Sequence, residues 1–359
     1  MIRNFRLVSA ATLALLAAAA ANEYRPALPG YRYSFPGDHF EHPDFRTEWW
    51  YYTGNLRSAE GKRFGFELVF FRQGQRRGEP VENKSAWRVD DVYLAHLALT
   101  DIDGKRFYPH ERLNRAGPGL AGASFERRRV WNGNWSSQWD ADRQTLEATA
   151  EEFRLNLRLA PSKPAVIHGL NGVSQKAAGE GKASHYVSFT RLAVSGELQL
   201  EGKAHAVTGT AWMDHEWFTH QLDSSQVGWD WFSVQLDDGR DLMLFQLRLR
   251  DGSIDPHSSG TLVDRGGAAR TLRAGDFSLT PVRYWTSPAT RARYPVSWSV
   301  RAPSLGLDLR CDAALDGQEL AGRVDRAPGY WEGAVRYSGS ASGVGYLEMT
   351  GYDKPVRLD

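Results

Sequence analysis

The stretch from Val207 to Arg250 most constrains the fold, because polar and apolar residues alternate along it with a period of two. Such alternation places successive side chains on opposite faces of a β-strand. We predict three strands in this stretch. Asp237-Asp238-Gly239, between the second and the third strand, is a turn signal that favours a hairpin.

The second of these strands aims a carboxylate at an apolar face. Asp230 shares its face with the apolar residues of the strand, Phe232, Val234 and Leu236. Trp229 and Trp231 point to the opposite face. We therefore expect the side chain of Asp230 to be desolvated, with a pKa above the ordinary value of about 3.9.

Composition extends the prediction of an all-β fold to the whole chain. The 359 residues include 13 Trp and 35 Gly, which is typical of β-structure with many turns. The formal net charge is +1, so no basic surface argues for a nucleic-acid partner, and a small, apolar partner is expected. Cys311 is the single cysteine, which excludes an internal disulfide.

The N-terminus has the pattern of a secretory signal peptide. Arg3 and Arg6 precede an apolar run, Leu7 to Ala21, that ends in small residues. We expect residues 1–21 to be removed and the mature protein to be periplasmic or secreted. The apolar run is shorter than the about 20 residues that span a bilayer, so no stable membrane anchor is expected.

The two halves of the chain echo one another. Glu48-Trp49-Trp50, followed by a turn and an aromatic strand, resembles Asp230-Trp231-Phe232 and its own turn and strand. A repeat of this length predicts two similar domains. We expect a lead-in over residues 22–37, an N-terminal domain over 38–198 and a C-terminal domain over 204–355.

Two connections bear on how these domains meet. The join near Glu201-Gly202 is too short to be a free linker, which predicts an extensive interface between the domains. Residues 161–184 form a long polar, glycine-rich excursion, and both a lid over a site and a surface loop fit this composition.

Several long motifs occur in a fixed order along the chain: D-H-F-E-H-P-D-F-R-T-E-W-W-Y-Y-T-G-N-L, A-W-M-D-H-E-W, G-W-D-W-F-S-V-Q-L-D-D-G, Y-P-V-S-W and Y-W-E-G-A-V…G-Y-L-E-M-T-G-Y. Together they resemble the AttH family of secreted lipocalin-like proteins, which is related to the CrtC-like carotenoid 1,2-hydratases and is often labelled a predicted secreted hydrolase. The resemblance implies an all-β fold of two tandem lipocalin-like, calycin-like antiparallel β-barrel domains. The hydratases add water to an isolated isoprenoid double bond. Their functional aspartate, histidine and tryptophan would correspond here to Asp214 or Asp230, His215 and Trp217.

The chemistry of alkene hydration points to the same cluster. A buried carboxylic acid such as Asp230 or Asp214 stays protonated and can protonate carbon. Tryptophan faces stabilise the cation that forms, and His215 can orient water or return the proton. We expect no bound cofactor. The candidate ligand-binding residues are Trp217, Trp229, Trp231, Glu216, Glu48, Trp49 and His96.

Other site chemistries fit the sequence less well. His215-Glu216 and His220 have three residues between the Glu and the second His, where the zinc-protease helix needs two. His39, His42, Asp38 and Glu41 are residue types that can ligate a metal. Such a cluster before a strand is also typical of a turn, and we expect no metal. The sequence contains no G-x-S-x-G nucleophile elbow.

Two classes of function, and a structural alternative, remain open at this point. The protein is a hydro-lyase acting on an apolar, isoprenoid- or lipid-like substrate, or it is a non-catalytic carrier or sensor of an apolar ligand; the hydrolase label is a third possibility. The acids also have a structural interpretation, as buried carboxylates paired with arginines such as Arg46 or Arg72. We favour the structural interpretation more for Glu48 and Glu332 than for Asp214 and Asp230.

Overall fold

The computed structural model describes residues 23–75, 89–322 and 329–357. The predicted signal peptide, residues 1–21, lies outside the described residues. Within them the protein is all-β, and the helical segments are three short 3-10 turns at Gly37–His39, Ala274–Asp276 and Pro303–Leu305. None of the described helices is long and apolar enough to cross a membrane.

The first sheet is antiparallel and curls into a nearly closed barrel. Its strands are β1 Thr47–Ser58, β2 Arg63–Gly74, β3 Asp91–Asp101, β4 Arg106–Arg115, β5 Ala121–Ser124, β6 Arg129–Asn132, β7 Trp135–Asp140, β8 Arg143–Thr149, β9 Phe153–Pro161, β10 Val166–Ile167, β11 Ser174–Gln175, β12 Ala183–Leu200 and β13 Lys203–Phe218. The main path runs β4-β3-β2-β1-β13-β12-β9-β8-β7-β6-β5, with β10 and β11 paired to β12.

The second sheet is also antiparallel and forms a half-barrel. Its strands are β14 Gln226–Leu236, β15 Asp241–Leu249, β16 Ser259–Val263, β17 Ala269–Arg273, β18 Ser278–Thr286, β19 Arg293–Ala302, β20 Leu307–Ala313, β21 Glu319–Leu320, β22 Tyr330–Gly339 and β23 Gly343–Thr350. The main path runs β17-β16-β15-β14-β23-β22-β20-β19-β18, with β21 paired to β22.

The connectivity of the two sheets supports the internal duplication. In each sheet the first strand pairs on one side with the second strand and on the other side with the last strand of that sheet. Trp49 on β1 lies opposite Phe71 on β2, and Trp231 on β14 lies opposite Phe245 on β15. Trp49 and Trp231 therefore occupy equivalent positions, as the sequence echo predicts.

The sheets divide later in the chain than the predicted boundary near residue 200. Glu201 and Gly202, with φ of 48° and 80°, form the tight turn between β12 and β13. This conformation suits a two-residue hairpin turn and not a linker between domains. Because β13 pairs with β1 along its length, the first sheet continues to Phe218 and the second begins at Gln226.

Apolar side chains form a core inside each sheet and a third cluster between the sheets. Inside the first sheet the core includes Trp50 and Tyr52, and inside the second it includes Phe232 and Trp298. The third cluster is built from the opposite faces of the central strands and includes Trp231. The interface between the sheets is thus extensive, as predicted, and it has its own apolar core.

Candidate functional site

A central cavity of about 610 Å³ lies between the two sheets. Its walls are the outward faces of β1, β2 and β13 from the first sheet and of β14, β15, β22 and β23 from the second. The volume falls within the range of small-molecule sites, about 300–1,000 Å³. The interior of each sheet, by contrast, is filled with core side chains.

Two equivalent rows of aromatic and acidic residues face this region. Each row crosses four adjacent strands, because directly opposite residues of neighbouring strands point the same way. In the first sheet the row is Phe71, Trp49, Glu216 and Tyr186. In the second sheet it is Phe245, Trp231, Glu348 and Glu332. The duplication has therefore placed acids beside aromatic rings on both walls.

Glu332 is the most distinctive acid of the cavity wall. Tyr51 donates a hydrogen bond to Glu332 Oε1, and Tyr330 donates to Glu67 Oε1 at 2.7 Å. The carboxyl group of Glu67 lies beside that of Glu332, and the two groups interact. Burial, with repulsion from Glu67 and Glu348, holds the pKa of Glu332 well above its ordinary value.

Oε2 of Glu332 and Oε2 of Glu67 have no hydrogen-bond partner within the described part of the chain. No arginine or lysine forms an ion pair with Glu332 or Glu67 among the described residues. The structural alternative, in which Glu332 is paired with an arginine, is therefore not what the structure contains.

Glu348 adds a third acid beside this pair. Trp229 donates an indole N–H to Glu348 Oε1 at 3.1 Å. Burial, and then repulsion from Glu67, raises the pKa of Glu348 to about 8. His96 lines the same part of the cavity, and its Nδ1 lies 2.6 Å from the Tyr330 hydroxyl. Together these groups form a cluster of acids and hydrogen-bond donors to which both sheets contribute.

Asp214 lies on the opposite wall and is held by neutral donors. Tyr186 and Ser188 donate hydroxyl hydrogen bonds to it, and Trp212 donates its indole N–H at 2.6 Å. Burial raises the pKa of Asp214 to about 7 despite these hydrogen bonds. Trp231 donates in turn to the Tyr186 hydroxyl at 3.0 Å, which links the two sheets.

Lys176 is the basic side chain that the 161–184 excursion contributes to the cavity. Its Nζ lies 3.7 Å from Glu216 and 3.9 Å from the centroid of the Phe245 ring. Burial lowers the pKa of Lys176, and Glu216 opposes this shift. The excursion is fixed across the interface, because His168 Nδ1 lies 2.8 Å from Thr261 Oγ1 of the second sheet. It is part of the cavity wall.

The structure brings together six of the sequence-predicted site residues and separates four from them. The residues that line the central cavity are Asp214, Glu216, Trp49, Trp229, Trp231 and His96. The residues that lie elsewhere are Asp230, Glu48, His215 and Trp217.

Asp230 lies inside the second sheet. The alternation prediction is correct, since Asp230 is fully buried on the same side as Phe232, and burial raises its pKa. That side faces the core of the half-barrel, however, and the Trp229 side faces the cavity. Arg248 Nε lies 3.2 Å from Asp230 Oδ2, so Asp230 is a charge-paired structural acid.

Glu48, His215 and Trp217 lie inside one end of the first barrel. Glu48 Oε2 accepts a hydrogen bond from Arg72 Nε at 3.1 Å, which confirms the structural interpretation for this acid. His215 Nε2 lies 2.8 Å from Glu48 Oε1. Trp217 stacks on His42 with ring centroids 3.8 Å apart.

The sequence analysis did not select Glu348, Tyr186 or Lys176. A signal for Glu348 exists in the motif Y-L-E-M-T, where the acid alternates with buried Leu347 and Met349. It was not decisive, because a charged residue on the outer face of a strand is usually solvated. For Lys176, in a glycine-rich excursion, the sequence offers no comparable signal.

Solved structures support the same fold. The chain is 37% identical to an AttH protein of Nitrosomonas europaea, with 91% of this chain and 99% of that chain covered and a TM-score of 0.82. Kievitone hydratase of Nectria haematococca is 14% identical, with 93% and 98% covered and a TM-score of 0.69. CghA, solved with Sch210972, is 12% identical, with 93% and 98% covered and a TM-score of 0.53. The last two show a shared fold.

A comparison with curated proteins finds no match. The AttH-like family model, in contrast, matches residues 26–352, which is nearly all of the described chain. The motifs, the duplicated lipocalin-like architecture and the Nitrosomonas relative agree with that match. The chain therefore belongs to the AttH-like family.

Proposed function

We propose that the protein binds a small apolar, isoprenoid- or lipid-like ligand in the central cavity and hydrates a carbon–carbon double bond of it without a cofactor. The observation that carries this proposal is the pair of buried, neighbouring carboxyl groups of Glu332 and Glu67, which tyrosine hydroxyls hold beside an aromatic-lined cavity. A hydro-lyase of this kind needs an acid that remains protonated at neutral pH. Glu332 meets that need.

The proposed reaction balances with these groups alone. The Glu332–Glu67 pair gives its proton to one alkene carbon, and the C=C π electrons form the new C–H bond. The cation that remains on the other carbon is stabilised by a ring face such as that of Trp231, worth about 2 kcal/mol when desolvated. Water then attacks this carbon, and the proton that it loses returns to the acid pair. The net change is alkene plus water to alcohol.

Two further observations support an apolar substrate. Large aromatic side chains, among them Trp49, Trp229 and Trp231, line the cavity beside its polar groups, and an apolar ligand can pack against them. The structural neighbour that is named a hydratase shares the two-sheet fold. We also propose that the protein is exported, because its N-terminal segment has the pattern of a secretory signal peptide.

The test compares two acid-to-amide variants of the full chain. Purified protein is incubated with a panel of terpenoid alkenes and unsaturated fatty alcohols in isotope-labelled water, and labelled alcohol products are measured by mass spectrometry. We expect Glu332→Gln to lower turnover by about 10²–10⁴-fold, because it removes the acid proton. Asp230→Asn is the matched control outside the cavity and should leave turnover nearly unchanged.

The carrier alternative makes a different prediction for the same experiment. A carrier would bind members of the panel without forming any labelled alcohol, and Glu332→Gln would change only their affinity. Loss of turnover in Asp230→Asn, with normal turnover in Glu332→Gln, would contradict the assignment of the cavity. A hydrolase would instead cleave fatty esters, which are added to the panel for this purpose.

A further inference from the structure

A second cluster of chemically capable side chains lies away from the central cavity, inside the end of the first barrel. His42, Glu48 and His215 each offer one ligand atom within 4.8 Å of the others. The side chains of Glu48 and His215 are fully buried, and that of His42 is 9% exposed. His42 comes from the segment before β1, Glu48 from β1 and His215 from β13. The central cavity and its proposed chemistry do not use this cluster.

The hydrogen-bond geometry of the two histidine rings is the key observation. His42 Nδ1 lies 2.6 Å from Glu48 Oε1, and its Nε2 lies 3.4 Å from Asp38 Oδ1. His215 Nε2 lies 2.8 Å from the same Glu48 Oε1, and its Nδ1 lies 3.1 Å from the Asp38 carbonyl oxygen. Both nitrogens of both rings thus face oxygen acceptors.

Neutral rings cannot satisfy this arrangement, because a neutral imidazole has one N–H and one lone pair. If each ring donates to Glu48, the two remaining lone pairs face oxygens of Asp38 at 3.4 and 3.1 Å, and if each ring donates to Asp38, two nitrogen lone pairs point at the lone pairs of Glu48 Oε1. A proton on Glu48 would serve only one of the two rings. The other oxygen, Oε2, already accepts from Arg72 Nε at 3.1 Å and from the His42 backbone N–H at 2.9 Å.

We propose that a divalent transition-metal ion, Zn²⁺ in the first place, binds between His42 Nδ1, His215 Nε2 and Glu48 Oε1. Two imidazoles and one carboxylate are a common donor set for zinc, and three protein ligands leave one tetrahedral position for water. The ion replaces the two protons that the rings would otherwise need. Asp38 orients both rings through their other nitrogens, as the outer partners of metal-bound histidines do.

The distances set how far the site must adjust. An ion at about 2.0–2.2 Å from each donor holds neighbouring donors about 3.3 Å apart, so the 2.6 and 2.8 Å separations must widen by roughly half an ångström. The His42 side chain is 9% exposed, which gives the ion a route from the barrel end. Bound there, the ion would fasten the segment before β1 to strand β13.

The test measures metal content and metal-dependent stability of the full chain without a histidine tag. We expect about one zinc per chain by elemental mass spectrometry, and a thermal midpoint that falls on chelation and recovers with added Zn²⁺. His42→Gln and His215→Gln should each lose both effects. His205→Gln, a buried histidine on the same strand as His215, is the matched control and should keep both.

A further variant distinguishes the loss of a metal ligand from misfolding of His42→Gln or His215→Gln. Asp38→Ala keeps all three donors and should weaken zinc affinity by about 10–100-fold, the usual effect of removing an outer partner. Wild-type protein that has been freed of metal and chelator should give a visible ligand-field spectrum when one equivalent of Co²⁺ is added. Only trace metal in the wild-type protein, together with no change in midpoint on adding Zn²⁺ or Co²⁺, would overturn the proposal and leave two doubly protonated histidines as the account.

Discussion

Acids buried inside the two sheets differ from acids buried between them. Inside, Glu48 is paired with Arg72 and Asp230 with Arg248, and the two acids occupy equivalent positions of the two halves. Between the sheets, Glu332 and Asp214 are held by tyrosine, serine and tryptophan donors or by another acid. Both sets are buried, so burial alone does not mark a site.

The two sets of acids differ in the group that contacts each carboxylate. A guanidinium compensates the negative charge of an acid and makes it part of the framework. Neutral donors and a neighbouring carboxyl group leave the proton exchangeable, because the ionised form is not compensated. We therefore assign structural roles to Glu48 and Asp230 and chemical roles to Glu332 and Asp214. Glu216 also faces the cavity, but Lys176 lies 3.7 Å from it and partly compensates its charge.

The largest expected effect on stability comes from breaking an inside pair. Arg72→Met leaves Glu48 buried without its guanidinium, which should cost about 3–5 kcal/mol in the free energy of unfolding. The measurement is urea unfolding followed by tryptophan fluorescence. Arg63→Met is the control, since it removes an exposed ion pair to Asp103 and should cost at most about 1 kcal/mol. Equal losses in the two variants would contradict the structural role.

A second, smaller effect is a pH dependence that originates between the sheets. The pKa of Glu348 rises from 4.5 to about 8 on folding, so its contribution to stability is complete below about pH 4.5 and is lost as pH rises through 8. Allowing for water in the cavity, the loss is roughly 2 kcal/mol. Urea unfolding between about pH 5 and pH 9 should show this decline, and Glu348→Gln should reduce it.

The control for this pH series is Glu197→Gln, which removes an exposed acid of β12 and should leave the slope unchanged. Stability that rises over the same interval, or a slope that Glu348→Gln does not alter, would contradict an uncompensated acid at this position.

The smallest expected effect concerns the link between the walls. Tyr186→Phe removes the hydroxyl that accepts from Trp231 and donates to Asp214, and it leaves the buried Trp231 N–H unpaired. We expect a loss of about 1–3 kcal/mol in the free energy of unfolding. Tyr284→Phe, at an exposed tyrosine of β18, should change it little. An unchanged Tyr186→Phe protein would show that this link between the sheets does not contribute to stability.

The sequence predicted which residues share a face but not which face meets the other half. Alternation correctly placed Asp230 with Phe232 and Trp231 on the opposite side. Assigning the site to the Asp230 side assumed that ligands bind inside a barrel. The packing of one sheet on the other brings together residues more than a hundred positions apart, such as Tyr51 and Glu332, and no local pattern encodes that contact.

The boundary between the sheets shows a similar limit. A two-residue Glu201-Gly202 turn and a short linker have the same composition, and only the pairing of β13 with β1 distinguishes them. The duplication was accessible from the sequence because Glu48-Trp49-Trp50 and Asp230-Trp231-Phe232 share the order acid, tryptophan, aromatic residue, and each is followed by a turn and a strand. The structure places these two triplets in equivalent strands.

The central claim is that ligand binds between the sheets, and anomalous scattering from a brominated ligand tests it most directly. Crystals of the full chain are soaked with a terminally brominated fatty alcohol, and the bromine is located in the anomalous difference map. We predict a bromine peak in the central cavity, between Trp49 and Trp231. A peak inside either sheet, beside Trp50 or Phe232, would contradict the claim.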